Sequence, residues 1–328
     1  MQTHEVRLEP SGICLQVRED QAIVEAALEQ GIAIHHGCGN GSCGDCKGTI
    51  LAGDGEQLPF MPLLLTPEER ASNKAILCKL QPRTAMRIAA TVDESPAYWQ
   101  GRVSGLHLLG ETVMELRVDC DRPYPYRAGQ YARLAVPGAP SLCRSYSMAS
   151  APREDHRLHF HIRKVPGGKF SEWLFDHAQI GEEIMLSAAQ GEFTRQENDR
   201  PLLCIAAGTG LAPIEAILED HFRCGERRPI ALYFGVRQQR DLYHLDFLED
   251  LASKHPELRL SVSCSDPELS EWSGPRRLLP AVAAAGPWQG HEAYLCGSPG
   301  MIEAAIDLLL SHGMPHEQIH FDSFSPSA

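Results

Sequence analysis

Three cysteines stand at C-x4-C-x2-C spacing in the stretch Cys38-Gly39-Asn40-Gly41-Ser42-Cys43-Gly44-Asp45-Cys46, and a fourth, Cys78, follows 32 residues later. Four thiolates at this spacing are the ligand set of a [2Fe–2S] cluster. Such a cluster needs backbone close to its sulfides. Gly37, Gly39, Gly41 and Gly44 permit that approach, because glycine has no Cβ and accepts positive φ. Their amides can then offset the sulfide charge. Zinc would favour a second C-x2-C knuckle, which is missing. A disulfide framework does not suit a chain that opens MQTHEVRLEP, with neither a basic nor an apolar leader. His35 and His36 precede the loop, but four cysteines already satisfy a cluster, so a Rieske arrangement is not needed. They read as solvated or hydrogen-bonded loop histidines.

A second group of chemistry-bearing residues begins at Arg144-Ser145-Tyr146-Ser147. About 20 residues on, Gly167-Gly168-Lys169-Phe170-Ser171 opens a helix, and a glycine turn at a helix N-terminus is an anion site. The arginine offers a guanidinium fork for phosphate and the tyrosine a flat face for an aromatic ring. Together they match the needs of a flavin dinucleotide. A third group is Gly208-Thr209-Gly210-Leu211-Ala212-Pro213, placed between an apolar run and a helix. Strand, glycine turn and helix begin a nucleotide-binding α/β unit. The fourth is Cys296-Gly297-Ser298-Pro299-Gly300-Met301, where a strand ends and ligands of such sheets bind. His156, His159 and His161 lie on one strand-like segment with no third metal ligand in view, so they read as flavin-site or surface polar groups rather than a metal site. No Ser-His-Asp or paired-carboxylate constellation is legible by spacing.

The elements that must position these residues can be read in order. Glu5 to Leu8 and Ile13 to Val17 are strand-like around a Pro10-Ser11-Gly12 turn. Asp20 is placed to cap a helix reaching about Gln30, ended by Gly31. Thr66-Pro67-Glu68-Glu69 is a capping box with proline at the first helical position. Ala75 to Leu80 reads as a strand carrying Cys78. Thr91 to Pro96 is a linker. From Gly101 to Asp119 two antiparallel strands turn at Gly110, Gly129 to Val136 forms another, and no long helix pattern appears until about Ser171. Short strands with turns between them predict a barrel or sandwich. Beyond residue 200 the pattern alternates. Leu202 to Ala206, Ile230 to Phe234, Leu258 to Val262 and Glu292 to Leu295 are strands, with helices to Phe222, over Asp241 to Ser253 and to Ser311. That is a doubly wound parallel sheet. After the tail Ile319 to Phe324 only a few residues remain, and terminal segments are often mobile.

In the order and spacing of these motifs the chain resembles the ferredoxin–NADP reductase superfamily. More narrowly it resembles the reductase components of multicomponent oxygenases, over essentially its whole length. The resemblance implies a multidomain architecture. A β-grasp ferredoxin (α+β) domain would cover residues 1–92, an antiparallel β-barrel FAD domain 97–198 and a doubly wound α/β nicotinamide domain 199–328. It implies that Cys38, Cys43, Cys46 and Cys78 hold the cluster, that Arg144 binds the FAD pyrophosphate, that Tyr146 packs on the isoalloxazine and that Ser147 sits near flavin N5. It implies that His161, Ile162 and Arg163, with the turn Gly168, Lys169, Phe170 and Ser171, hold the rest of the FAD. Gly208, Thr209 and Gly210 then belong to the nicotinamide nucleotide, with Cys296 and Gly297 against the nicotinamide. Near the C-terminus Phe324 matches the family's flavin-side aromatic best and Asp322 second. Departures are Ala207 where many relatives carry glycine, and Ser298 where proline is usual. Pro213 stands where a G-x-G-x-x-G fingerprint has its third glycine.

A nicotinamide gives up a hydride, a [2Fe–2S] cluster takes one electron, and a flavin exchanges electrons in both ways. The parts therefore predict an oxidoreductase passing electrons from NAD(P)H to FAD, to the cluster and then to a protein acceptor, an oxygenase or hydroxylase component or its ferredoxin. A reductase for a pyridoxamine-dependent deoxysugar dehydratase has the same module order, and a redox-sensing interaction protein is the reading outside enzymes. Arg237 and Arg240 stand where a 2′-phosphate would bind, but without a wider basic cluster the expectation is NADH. A net charge of −13 offers no basic patch for nucleic acid. No apolar run reaches the ~20 residues of a membrane helix. Seven further cysteines are scattered, as suits a reducing compartment. A cytoplasmic protein, monomeric when free, is expected, its acceptor docking at the loop rim of Asn40, Ser42 and Asp45.

Overall fold

The structure is a computed structural model describing residues 2–37, 39, 41, 43–92, 98–266 and 272–324. Cys38, Asn40, Ser42 and most of the expected linker (93–97) lie outside the described residues. The described residues separate into two compact units, the first running up to Val92 and the second from Tyr98 to Phe324.

The first unit is built on a five-stranded mixed sheet. Its order is Cys14–Arg18, Thr3–Glu9, Met86–Ala89, Lys47–Ala52, Lys74–Ile76. Alternation of apolar and polar residues puts Val6, Leu8, Leu15, Val17 and Ile88 on the core face, each fully buried. The helix Ile23–Glu29 contributes Ile23, Val24, Ala26 and Ala27 to the same core. The Asp20 cap is not formed. The N-cap is Ala22, with no side-chain hydrogen bond, while Asp20 accepts from Arg18 instead at 3.4 Å. Gly31 ends the helix as expected, at φ +73°, and the Ile32 N–H closes on the Ala27 carbonyl at 2.8 Å. The capping box forms in full, with Pro67 in the first turn of Pro67–Ala71. The reading of Ala75 to Leu80 as one strand is corrected. Lys74–Ile76 is a strand, Leu77–Lys79 is a 3₁₀ turn carrying Cys78, and Leu80–Pro82 pairs with Gly55–Gln57.

The second unit has two lobes. In one, six antiparallel strands form a nearly closed barrel. Their order is Ala139–Ser147, Tyr131–Val136, Glu183–Leu186, Trp99–Leu108, Val113–Cys120, Arg157–Arg163. A bridge between Met148 and Phe160 joins the two edges. Phe160, Ile162, Leu116, Leu134, Ile184 and Phe170 fill its interior. In the other lobe five strands run parallel in the order Leu258–Cys264, Ile230–Val236, Leu202–Ala207, Glu292–Gly297, Ile319–Ser323. The helix expected from Asp241 begins only at Leu245, because Gln239–Asp241 is a 3₁₀ turn and His244 takes left-handed backbone at φ +60°. A helix over Leu278–Ala285 went unread in the sequence. Ile319–Ser323 is the fifth strand, with Cys296 opposite Asp322 in its register.

Candidate functional site

In the first unit Cys46 and Cys78 are buried and Cys43 is partly exposed, and none of the three is in a disulfide. The Cys78 N–H points at Cys46 Sγ, 3.4 Å away, and the Leu77 N–H bonds the Cys46 carbonyl at 3.0 Å. The 3₁₀ turn thus brings the distant cysteine back to the loop. Gly39, Gly41 and Gly44 all have φ between +67° and +86°. At Gly41 an added Cβ would lie 2.9 Å from the Phe60 Cβ, so the loop needs both the freedom and the size of glycine. Cysteines gathered beside close backbone fit an iron–sulfur cluster, and an amide already aimed at one of their sulfurs is the kind of bond that tunes one. His36 is buried, its Nδ1 2.7 Å from the Ile34 carbonyl, and holds the chain entering the loop.

In the barrel lobe, Arg144, Tyr146 and Ser147 occupy the last strand turn of Ala139–Ser147. Tyr146 packs against Phe170 with ring centroids 5.2 Å apart. Phe170 and Ser171 lie in the first turn of the helix Lys169–Asp176, whose N-cap Gly168 supplies no side-chain bond. Its opening amides therefore remain available to an anion. Lys169 is exposed, and the half-buried Arg144 guanidinium bonds only the neighbouring Cys143 carbonyl among its described contacts. An added Cβ at Gly168 would sit 2.7 Å from Ser171 Oγ, so glycine sets this turn. An uncapped helix, two cations and a ring wall are a donor set that fits a flavin dinucleotide.

On the strand Arg157–Arg163 the side chains go elsewhere. Ile162 is fully buried in the barrel. Arg163 Nη2 bonds Asp241 Oδ1 of the parallel lobe at 3.1 Å, and Thr112 reaches the same oxygen at 3.3 Å. His161 is not a surface group: its side chain is 2% exposed and faces Glu215. His159 Nδ1 lies 3.0 Å from Glu115 Oε1.

The parallel lobe presents its strand ends toward Ser147. Leu202–Ala207 leads into the turn Gly208–Gly210 and then the helix Leu211–Arg223. Pro213 is tolerated there because first-turn N–H groups have no intrahelical partner. Gly210 is pressed against the next strand; a Cβ would fall 2.3 Å from the Cys296 carbonyl oxygen. Gly208 has φ +55° with open space beyond it. No side chain caps this turn, which leaves room and amides for a nucleotide phosphate. Cys296 is fully buried, and burial, with the Asp322 charge beside it, pushes its thiol well above the usual range. It is a neutral, apolar sulfur. Ser147 Oγ donates to Asp322 Oδ2 at 3.5 Å. Phe324 packs partly buried against the lobe's core, its N–H on the Gly297 carbonyl at 2.8 Å.

Residues 6–83 match the 2Fe-2S iron-sulfur cluster binding domain, 101–194 the oxidoreductase FAD-binding domain and 204–307 the oxidoreductase NAD-binding domain. The chain is 32% identical to the phenol 2-monooxygenase reductase component of Pseudomonas sp., over 99% of this chain and 96% of that one. It is 34% identical to the xylene/toluene monooxygenase electron transfer component of Pseudomonas putida, over 97% and 93%. Among solved structures, an Amycolatopsis cytochrome P450 reductase superposes with TM-score 0.73 at 30% identity, covering 99% of both chains. The ferredoxin reductase of carbazole 1,9a-dioxygenase gives TM-score 0.72 at 27%, again covering 99% of both. The chain belongs to the ferredoxin–NADP reductase family. It is one of the family's reductase components with an N-terminal [2Fe–2S] domain. Its cofactors are the [2Fe–2S] cluster, FAD and NAD(P)H, and it is an NAD(P)H oxidoreductase. Among the described residues no helix is long and apolar enough to cross a membrane.

Sequence reasoning missed Glu215, Asp241 and His244, which meet the barrel strand across the lobes. Their spacing carries no signal, because they come from separate elements that only the fold places beside Arg157–Arg163. Asp322 was ranked below Phe324, yet its carboxylate is the group beside both Ser147 and Cys296.

Proposed function

We propose that this reductase passes electrons from NADH to the oxygenase component of a multicomponent oxygenase, with three domains near 1–92, 97–198 and 199–328. The convergence of Ser147, Asp322 and Cys296 carries the reading of where reduction occurs. When bound, NADH supplies a hydride, FAD converts the pair to single electrons and the cluster delivers them one at a time. Arg144 and the open amides at Lys169 to Ser171 bind the FAD pyrophosphate, and Tyr146 flanks its ring. Gly208 to Gly210 receive the nicotinamide nucleotide's phosphates. Cys296 and Gly297 form a dry floor for the nicotinamide. Ser147, held by Asp322, offers a hydroxyl at the flavin edge, and Phe324 covers the same region. His161, Ile162 and Arg163 supply the strand that positions the FAD turn, and Cys38, Cys43, Cys46 and Cys78 hold the cluster.

NADH is favoured over NADPH by a carboxylate. Asp266 Oδ2 accepts the Gln239 N–H at 3.3 Å, within the loop that carries the exposed Arg237 and Arg240. A negative group there opposes a 2′-phosphate. The acceptor reading rests on relatives named as reductase components of phenol and xylene/toluene monooxygenases. The test is anaerobic NADH reduction followed by EPR and optical spectra. Cys43→Ser should abolish a rhombic ferredoxin-like signal and turnover with the oxygenase while sparing NADH–ferricyanide activity. Loss of ferricyanide activity as well would overturn the order of the centres.

A further inference from the structure

We propose that His161, Glu215 and His244 form a binding site for a divalent transition-metal ion, zinc by preference, at the seam between the barrel and parallel lobes. The three come from separate elements: the barrel strand Arg157–Arg163, the helix Leu211–Arg223, and the residue that precedes the helix Leu245–Lys254. Their ligand atoms all lie within 4.8 Å of one another. The Glu215 carboxylate is central. One oxygen is 3.1 Å from His244 Nδ1 and the other 3.8 Å from His161 Nε2.

The second distance is the informative one, because it is too long for a hydrogen bond. His161 is nonetheless buried, and its Nδ1 has no hydrogen-bond partner among the described residues. Beside it the Tyr243 hydroxyl is also buried without a partner, the two rings meeting edge-on at 5.6 Å. Unpaired buried polar groups are rare and call for a reason. Nδ1 is on the other side of the ring from Glu215, so what an ion between Nε2 and the carboxylate would supply is a bond across the 3.8 Å gap that no hydrogen bond spans. Zinc bonds of 2.0–2.1 Å in a tetrahedron set donors about 3.3 Å apart, a value that the observed 3.1 and 3.8 Å bracket.

The chemistry of the donors selects the metal class. Two imidazoles and one carboxylate suit zinc and other first-row ions, whereas calcium and magnesium want oxygen alone. Glu115, buried and directly opposite His161 in the strand ladder, adds negative charge nearby. The rings are prepositioned: His244 stacks on Phe247 at 4.5 Å. Its side chain is 23% exposed, which gives an ion a way in. Because one ligand belongs to the barrel lobe and two to the parallel lobe, the ion would staple the lobes together and slow turnover that needs them to part.

The cofactor-loaded full chain, freed of adventitious metal, would be crystallised and soaked with Zn²⁺, and data collected on both sides of the zinc absorption edge. An anomalous peak among the three side chains is expected. In calorimetry the wild type should bind Zn²⁺ at this site at least about a hundredfold more tightly than His244→Gln, and Zn²⁺ should inhibit NADH–ferricyanide turnover only in the wild type. His244→Asn is a second, smaller substitution should the first variant not fold. No peak at the triad, peaks at the cluster cysteines alone, or equal zinc affinity in the variants would overturn the site.

Discussion

Ser147 and Asp322 stand 175 positions apart, and their contact is the residue-level observation on which the proposed reduction site depends. The hydroxyl is buried and oriented by the carboxylate; Cys296, neutral and apolar, lines the same place. A misplaced hydroxyl should slow the reaction more than it weakens binding, since near-attack geometry is sensitive to small displacements. Ser147→Ala is expected to lower the rate of flavin reduction by NADH by about ten- to a hundredfold, with a smaller change in the NADH Kd. Stopped-flow absorbance separates the two, and an unchanged reduction rate would remove Ser147 from the proposed role. Asp322→Asn should produce a milder version of the same defect. The sequence marked Ser147 and Cys296 because each sits in a local motif with its own turn or strand end. Asp322 was only half visible, as no spacing rule says which residue of a tail will lie opposite Cys296.

At the scale of elements, two short pieces carry more than their length implies. Gly210 lets the strand–turn–helix unit lie against the next strand. Gly210→Ala would force its Cβ to 2.3 Å from the Cys296 carbonyl oxygen. A destabilisation of about 1–3 kcal/mol is expected, read by urea unfolding, together with weaker nicotinamide binding. In the first unit Glu69 caps Thr66 and also bonds Lys74 at 2.9 Å and Lys47 at 3.1 Å. Burial is the largest single influence and raises its carboxyl pKa, but Lys74, the Thr66 amide and Lys47 together outweigh it and bring it down to about 2. A depressed carboxyl pKa contributes stability that is full above the unfolded value and is lost as pH falls toward the folded one. Glu69→Ala should therefore cost about 1 kcal/mol at pH 7 and progressively less from about pH 4.5 down to 2. A cost that stays constant across that range by thermal unfolding would contradict the assignment. The capping box was legible because its signal is four consecutive residues. The 3₁₀ turn at Cys78 was not, since an apolar run such as Ala75-Ile76-Leu77 is equally compatible with a strand. The Asp20 cap failed for a related reason: a nearby Arg18 competes for the carboxylate.

At the scale of the whole chain, the net charge of −13 is the feature with a kinetic consequence. An acceptor with a basic docking face would be drawn in electrostatically, and its turnover should fall as ionic strength rises. Ferricyanide, an anion, should respond in the opposite sense. If both acceptors show the same salt dependence, charge steering plays no part. The order of modules, the parallel sheet and the barrel were all legible, because each rests on many residues of consistent periodicity. The seam between the two lobes was not. Arg163 and Asp241 meet there across 78 positions, and His161, Glu215 and His244 across comparable spans; pairing at that range is a property of the fold.

The strand Ile319–Ser323 lies parallel to Glu292–Gly297 and is the last element of the parallel sheet to be synthesised. On the ribosome, the barrel and most of the parallel sheet can fold before Asp322 has emerged. A chain stopping short of Ile319 would retain the barrel residues proposed to bind flavin yet lack the carboxylate beside Ser147. It would be a yellow protein that nicotinamide reduces poorly, so competence to accept electrons would arrive only once this strand joins the sheet.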